Sequence, residues 1–257
     1  MSARPRWGYV QARLQARHGE RLQEADWRAI EAARSVDQFI ERARASPLRR
    51  FTERMDARMP SHAIERMLRA TWRAYVAQVA SWVPLGWRLA VVWASVFPEL
   101  PILDGLLRGE APEWIEQDPA FAELAKADLQ TRNVTPANSP LDALVASNGR
   151  DKTLAARWYA HWSSLWPQHQ VGNRALFDLT ATIKAHVERL NSAGLQETSG
   201  SYRRDLALKL TRMFRRHGGS PAAVFCHLAL VALDLERLRG DLMRRRLFES
   251  SYAKEAA

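Results

Sequence analysis

The residue types that most often carry out catalysis or bind metals are present, but not at the spacings that such chemistry needs. None of the seven histidines forms a His-Glu-x-x-His motif or pairs with the single cysteine at a zinc-ligand spacing. The chain has no Gly-x-x-x-x-Gly-Lys loop to hold phosphates, no Gly-x-Gly-x-x-Gly before a helix and no Gly-x-Ser-x-Gly turn. We therefore predict no catalytic residue, no metal site and no cofactor.

The cysteine and one group of carboxylates are predicted to be structural rather than reactive. Cys226 lies in the apolar run 222–233, which predicts a small core residue rather than a nucleophile. A single cysteine excludes an intrachain disulfide, so a reducing cytoplasm is the default location. Glu113, Glu116 and Asp118 are close together in a turn-rich segment, where we expect them to be solvated.

Arginine is concentrated toward the two ends of the sequence. The chain has 38 Lys and Arg against 28 Asp and Glu, a formal net charge of +10. Residues 1–58 carry 13 Arg against 8 acidic residues, and residues 202–247 carry 11 basic against 4 acidic residues. Basic ends attract anionic partners, although Arg side chains that only cover apolar helix surface give the same pattern.

The ten tryptophans predict either a thick core or a binding surface. Trp158, Trp162 and Trp166 follow one another at four-residue spacing, which places them on one helix face. Core packing explains such a ridge, and so does a protein–protein anchor, because Trp and Arg are enriched at interface hot spots. The sequence leaves both interpretations open.

The spacing of apolar residues is helical along nearly the whole chain, which predicts an all-α, multi-helix fold with a funnel- or bundle-like array of short and medium helices. Ser35 and Gln38 are typical of a capping box at a helix start, and Ser61 with Glu65 repeats the pattern. In the second half, the longer helices are expected at 154–166, 175–190, 202–217 and 221–247.

The same pattern predicts how the chain is divided. Residues 131–139 are the candidate linker between an N-terminal helical unit (1–130) and a C-terminal one (140–257), and one continuous domain is the alternative. The most apolar stretch, 76–107, is interrupted by Arg88 and three prolines, so we expect the heart of a soluble domain there and no transmembrane segment.

Five stretches of the chain follow a recognisable order, and they are residues 9–22, 27–33, 35–40, 88–107 and 224–246. In this order they resemble the C/d family of V-type ATPase proteins, the central-stalk socket family. Residues 9–22 (YVQARLQARHGERL) resemble the opening helix of that family, which typically begins with Tyr and continues through Ala-Arg and a second Arg to a Leu. Residues 27–33 and 35–40 are similar to the next two short helices, and residues 224–246 to the last helix pair. Residues 88–107 stand where the family has an Asp-x-x-Asn-Leu helix, although the Asn is absent here.

The resemblance implies a non-catalytic socket protein. Members of the family cap the membrane rotor ring on its cytoplasmic side and hold the foot of the central stalk, so the implied partners are stalk subunits and the ring, with peripheral membrane association through them. Charged rims give docking rate and specificity at such contacts. The candidate partner-binding residues are Arg13, Arg17, Arg215, Arg216, Arg244, Arg245 and Arg246.

Two other functions remain open. The chain is alternatively a helical scaffold or adaptor of another complex, which requires no stalk or ring. A basic nucleic-acid-binding protein is the second alternative and rests on charge alone, because no helix-turn-helix, zinc finger or aromatic strand platform is recognisable. No small-molecule substrate is expected in any of these interpretations.

Overall fold

The computed structural model describes residues 3–110, 112–126, 141–145, 153–167, 173–192 and 199–255. The fold is 80% helical, and none of the described residues lies in a β-strand. The predicted all-α fold is thereby confirmed. The candidate linker at 131–139 lies outside the described residues.

The first half of the chain contains nine α-helices and one 3-10 helix within its described residues. The 3-10 helix (Ala94–Glu99) follows the sixth α-helix directly and runs through Pro98. The α-helices are α1 (Ala3–Gly19), α2 (Glu24–Glu31), α3 (Val36–Arg44), α4 (Arg49–Thr52), α5 (Ser61–Trp82), α6 (Leu85–Trp93), α7 (Leu100–Leu107), α8 (Glu113–Glu116) and α9 (Ala122–Lys126).

Among its described residues, the second half of the chain has fewer helices, and four of the five have 11 or more residues. The four helices expected there are all present, with starts within three residues of the predicted ones. The described helices are α10 (Asp142–Val145), α11 (Leu154–Ser164), α12 (Asn173–Ser192), α13 (Ser199–Arg216) and α14 (Pro221–Glu255).

Helix α14 is the central element of the core. It spans 35 residues, a length of about 52 Å, and every residue from 221 to 228 is buried. It contacts α1, α3, α5 and α6 from the first half of the chain, and α12 and α13 from the second. The described residues of the two predicted units therefore share one hydrophobic core.

Helix α3 begins at the predicted cap. The Ser35 hydroxyl accepts a hydrogen bond from the backbone N–H of Gln38 at 3.2 Å, which satisfies one of the free N–H groups at the helix start. The Gln38 side chain in turn accepts from the backbone N–H of Arg34 rather than from that of Ser35. The predicted cap is confirmed, except that the Gln38 side chain bonds the backbone N–H of the residue before the N-cap instead of the N-cap itself.

Replacing Ser35 by alanine is expected to lower the free energy of unfolding by about 1 kcal/mol, because the N–H of Gln38 loses its acceptor. Urea denaturation measures the change. Ser35→Thr retains the hydroxyl and serves as the control, with a loss of less than half that size. Equal losses in the two variants would show that the cap bond is not responsible.

The second predicted cap is wrong in its detail. Helix α5 does begin at Ser61, but the N-cap is Pro60, whose carbonyl accepts from the N–H groups of Ala63 (2.9 Å) and Ile64 (3.2 Å). Ser61 occupies the first helical position, where its side chain is not placed to cap. The predicted apolar stripe is confirmed, since its members are all buried: Ile64, Leu68, Trp72, Tyr75 and Val79.

Helices α5 and α6 form an antiparallel hairpin joined by Val83 and Pro84. The indole Nε1 of Trp72 donates to the carbonyl oxygen of Ala94 at 3.2 Å, which fixes the level of one helix against the other. Both helices pack on α14, since the Tyr75 hydroxyl is 2.7 Å from His227 Nε2 and Trp87 meets Phe225 edge to face. Their opposite faces consequently point away from the core.

Candidate partner-binding surface

Helix α1 carries the first two candidate arginines on one flank. Tyr9, Arg13 and Arg17 follow at four-residue spacing, so they lie on the same side of the helix. The Arg13 Nε donates to the Tyr9 hydroxyl at 3.0 Å, and its guanidinium carbon is 6.0 Å from the ring centroid of Trp82. Arg13 is exposed and has no carboxylate partner among the described residues.

Arg17 lies at the edge of the same flank and is partly neutralised. It pairs with Glu20 at 3.0 Å, and Arg50 of α4 binds the same carboxylate at 2.5 Å. Burial raises the pKa of Glu20, but the hydrogen bonds from Arg17 and Arg50 outweigh it and lower the pKa overall. Two guanidinium groups thus share one carboxylate, which leaves a net positive charge.

The other flank of α1 meets the end of α13. The backbone N–H of Gly219 donates to Gln11 Oε1 at 2.8 Å, and the rings of His18 and Phe214 are 4.4 Å apart. Gly219 has a φ of 73°, a conformation that glycine adopts readily and that turns the chain from α13 into α14.

Arg215 and Arg216 directly follow Phe214 at this contact. Both are exposed, and neither has an ion pair or a hydrogen-bonded carboxylate within the described part of the chain. Burial lowers the pKa of His18, and Arg21 and Arg215 lower it further, which reflects the closeness of Arg215 to α1. We refer to Arg13 and Arg17, on one flank of α1, together with Arg215 and Arg216, beside its other flank, as the α1 basic surface.

The three remaining candidates lie elsewhere and are engaged within the chain. Arg244 pairs with Asp241 at 2.7 Å. Arg245 donates to the carbonyl oxygens of Glu31 (2.5 Å) and Ala33 (3.1 Å), and Arg246 donates to the carbonyl of Met59. These residues are about 35 Å along α14 from its first turn, so the structure does not bring them to the α1 basic surface.

Two residues of this surface were not singled out from the sequence. Tyr9 is 49% exposed and orients Arg13, and the i, i+4 spacing of the two residues was a usable signal. Arg50 reaches Glu20 across 30 residues of sequence, which no local pattern reveals.

The predicted carboxylate cluster is not a single solvated group, and the expectation for Asp118 is wrong. Glu113 and Glu116 are exposed, but Asp118 is only 1% exposed and accepts from Arg69 Nη2 at 2.6 Å. Arg69 also lies 3.3 Å from Glu99, another buried carboxylate. A carboxylate enters the core here because a buried guanidinium pairs with it.

Cys226 and the tryptophan ridge belong to the core. Cys226 is fully buried, and burial raises the pKa of its thiol to about 12, so the predicted core role is confirmed. Trp162 and Trp166 are also buried, and the Trp162 ring meets Phe225 of α14 at 4.8 Å. Trp162 and Trp166 therefore pack inward, as the core interpretation predicts, and Trp158 is half-buried against Trp162 and Phe97.

Within the described ranges, no group of three or more His, Cys, Asp or Glu side chains is arranged to hold a metal ion. The stretch Leu85–Leu107 is long and apolar enough to cross a membrane, with a mean hydropathy of 1.5, and 44% of its most apolar window is buried in this fold.

Comparison with known proteins returned no match, whether to protein-family models, to curated proteins or to solved structures.

Proposed function

We propose that this chain is a non-catalytic socket protein that joins the central stalk of a V-type rotary ATPase to its membrane ring. The observation that carries the proposal is the α1 basic surface, where Arg13, Arg215 and Arg216 are exposed with no carboxylate partner among the described residues. The sequence resemblance suggests the kind of complex, and the surface suggests where an acidic partner would bind.

The contrast with the other arginines supports this assignment. Arg237 of α14 binds Glu31 (2.5 Å) and Glu24 (2.8 Å) of α2, and Arg21 binds Asp234 at 2.7 Å. These contacts join residues more than 200 positions apart, so they stiffen the helical body. Such arginines are occupied by the fold itself, whereas Arg13, Arg215 and Arg216 have no carboxylate partner among the described residues and are available to an anionic surface of a partner.

A rigid body with a charged rim suits a part that transmits torque. Complementary charges speed docking and set orientation, while most differences in affinity between related complexes come from the dissociation rate. The surface is built on α1 and on the C-terminal end of α13, both held to the core, and a partner bound there would be held in a defined orientation.

The test is a charge reversal. In the Arg215→Glu/Arg216→Glu variant, we expect the dissociation constant for the stalk and ring subunits of the host's V-type ATPase to rise about tenfold or more, because attraction becomes repulsion. Co-purification from native membranes and a titration with the co-expressed stalk subunits measure it. Association of the unmodified chain is expected to weaken as salt is raised.

A matched control is available away from α1. Arg54 and Arg58 are exposed and, within the described residues, carry no ion pair, so Arg54→Glu/Arg58→Glu makes the same charge change outside the α1 basic surface. This control should bind as the unmodified chain does. Unaltered binding by the Arg215→Glu/Arg216→Glu variant would refute the assignment, and recovery of a different set of proteins from membranes would favour the scaffold alternative.

A further inference from the structure

The hairpin of α5 and α6 has an exposed face without charge, although 26% of the chain's residues are charged. From residue 70 to residue 101, every exposed residue is uncharged. The three charged residues in this interval, Arg73, Arg88 and Glu99, are half-buried or buried, and Arg73 pairs with Glu99. Contiguous exposed surface of this kind commonly marks an interaction site.

The face consists of two strips of different size. Helix α5 exposes small side chains at helical spacing: Ala70, Ala74, Ala77 and Ser81. Helix α6 and the 3-10 helix expose large apolar side chains, which are Leu85 (69% exposed), Leu89 (68%), Val92 (45%) and Phe97 (50%). We refer to the two strips together as the hairpin face.

The register of the hairpin pairs each large residue with a small one. In an antiparallel helix pair, residues at the same level are equally far along the sequence from the turn. The hydrogen bond between Trp72 and Ala94 places residues 72 and 94 at about the same level here. At successive levels the pairs are Ser81 with Leu85, Ala77 with Leu89, Ala74 with Val92 and Ala70 with Phe97. At each level, one large apolar side chain therefore projects beside one small side chain.

We propose that the hairpin face binds the same face of a second copy of this chain, forming a two-fold symmetric dimer. A two-fold axis parallel to the hairpin sets α6 of one copy against α5 of the other at the same levels. Each large side chain then lies over a small one, so ridges enter grooves in both directions. The surface is complementary to itself in shape.

Charge also favours a second copy at this face. The chain has a net charge of +10, so two copies repel through most of their surfaces. The exposed residues of the hairpin face carry no charge, and Arg73 at its margin is half-buried and already paired with the buried Glu99. Apolar contact therefore meets little local electrostatic repulsion.

The size of the hairpin face indicates how stable the dimer should be. It measures about 18 Å along the helices and about 20 Å across them, which is below the roughly 800 Å² per partner of a standard interface. We therefore expect a weak, reversible dimer. This inference concerns the free chain and goes beyond the proposed function, since it uses no residue of the α1 basic surface.

Sedimentation equilibrium of the full chain across the micromolar range tests the dimer. Leu89→Lys and Ala77→Glu each insert a charge into the contact and should weaken the dimer about tenfold or more. Both positions are exposed, so the monomer should remain folded. Leu208→Lys, at a 57% exposed leucine on α13, is the matched control and should dimerise as the unmodified chain does.

Mixing the two variants tests the register itself. In a mixed dimer, the lysine introduced at position 89 of one copy faces the glutamate introduced at position 77 of the other, while the second contact keeps its original Leu89 and Ala77. We therefore expect an equimolar mixture to regain dimers although neither variant dimerises alone. Three outcomes would each overturn the proposal: a monomeric unmodified chain, a dimer that survives Leu89→Lys, or a mixture that stays monomeric. Binding of the stalk subunits, measured in the same samples, reports separately on the proposed function.

Discussion

Replacing Arg69 by methionine is expected to lower the free energy of unfolding by about 3–5 kcal/mol. Arg69 is 6% exposed and lies between two buried carboxylates, with Asp118 at 2.6 Å and Glu99 at 3.3 Å. Without the guanidinium, Asp118 keeps its burial and loses its counter-ion. Chemical denaturation followed by circular dichroism measures the loss.

The raised pKa of Glu99 explains why removing one member of this ion-pair network lowers stability so much. Burial raises the pKa of Glu99 even though Arg73 and Arg69 both lower it. For Glu99, the ion pairs with Arg73 and Arg69 therefore compensate only part of the desolvation penalty, and their removal exposes all of it.

Two further variants make this prediction specific. Arg108 pairs with Asp104 and Glu110 on the surface, so Arg108→Met should change stability by less than about 1 kcal/mol. The double variant Arg69→Met/Asp118→Leu removes both charges and should recover part of the loss. A loss below about 1 kcal/mol for Arg69→Met would show that the network is solvated.

Acidification below pH 6.5 is expected to destabilise the fold through His227. This side chain is fully buried, and its pKa is lowered from 6.5 to about 3, first by burial and then by the charges of His18, Arg21, Arg50 and Arg17. The Tyr75 hydroxyl lies 2.7 Å from its Nε2. Between the folded and unfolded pKa values the unfolded chain binds the proton and the folded chain does not, so stability falls as pH drops.

The expected slope is about 1.4 kcal/mol per pH unit within that window, in addition to the contribution of the carboxylates. Unfolding free energies measured from pH 6.5 downward give the slope, and the difference between the unmodified chain and His227→Gln isolates the share of His227. Tyr75→Phe is the control, because it removes the hydrogen bond and keeps the imidazole. A slope that is identical in His227→Gln and the unmodified chain would contradict the prediction.

Local features of the fold were predictable because they depend on neighbouring residues. The helix start at Ser35, the apolar stripe along α5 and the four longer helices of the second half follow from spacing and capping within a few residues. Whether the Trp158–Trp162–Trp166 ridge packs against the core was one of two open interpretations. Residue spacing places side chains on one helix face, but it does not show what covers that face.

The roles of the arginines could not be predicted in the same way. Arg215, Arg216 and Arg244 through Arg246 look alike in sequence, as clusters in a basic end. The structure separates them, because Arg245 and Arg246 reach the carbonyls of Glu31 and Met59 whereas Arg215 and Arg216 stay exposed. Whether a guanidinium is engaged by the fold depends on acceptors contributed by residues that lie far away in the chain.

By itself, the sequence determined the all-α class, most helix positions and the location of the positive charge, since these follow from residue type and short-range spacing. The tertiary structure alone decided which arginines of the basic ends are engaged by the fold, that Asp118 is buried against Arg69, and that small and large residues alternate across the hairpin face. The first two outcomes require residues distant in sequence to meet in the packed core, and the third depends on the register in which the neighbouring helices α5 and α6 pack; short-range spacing determines neither.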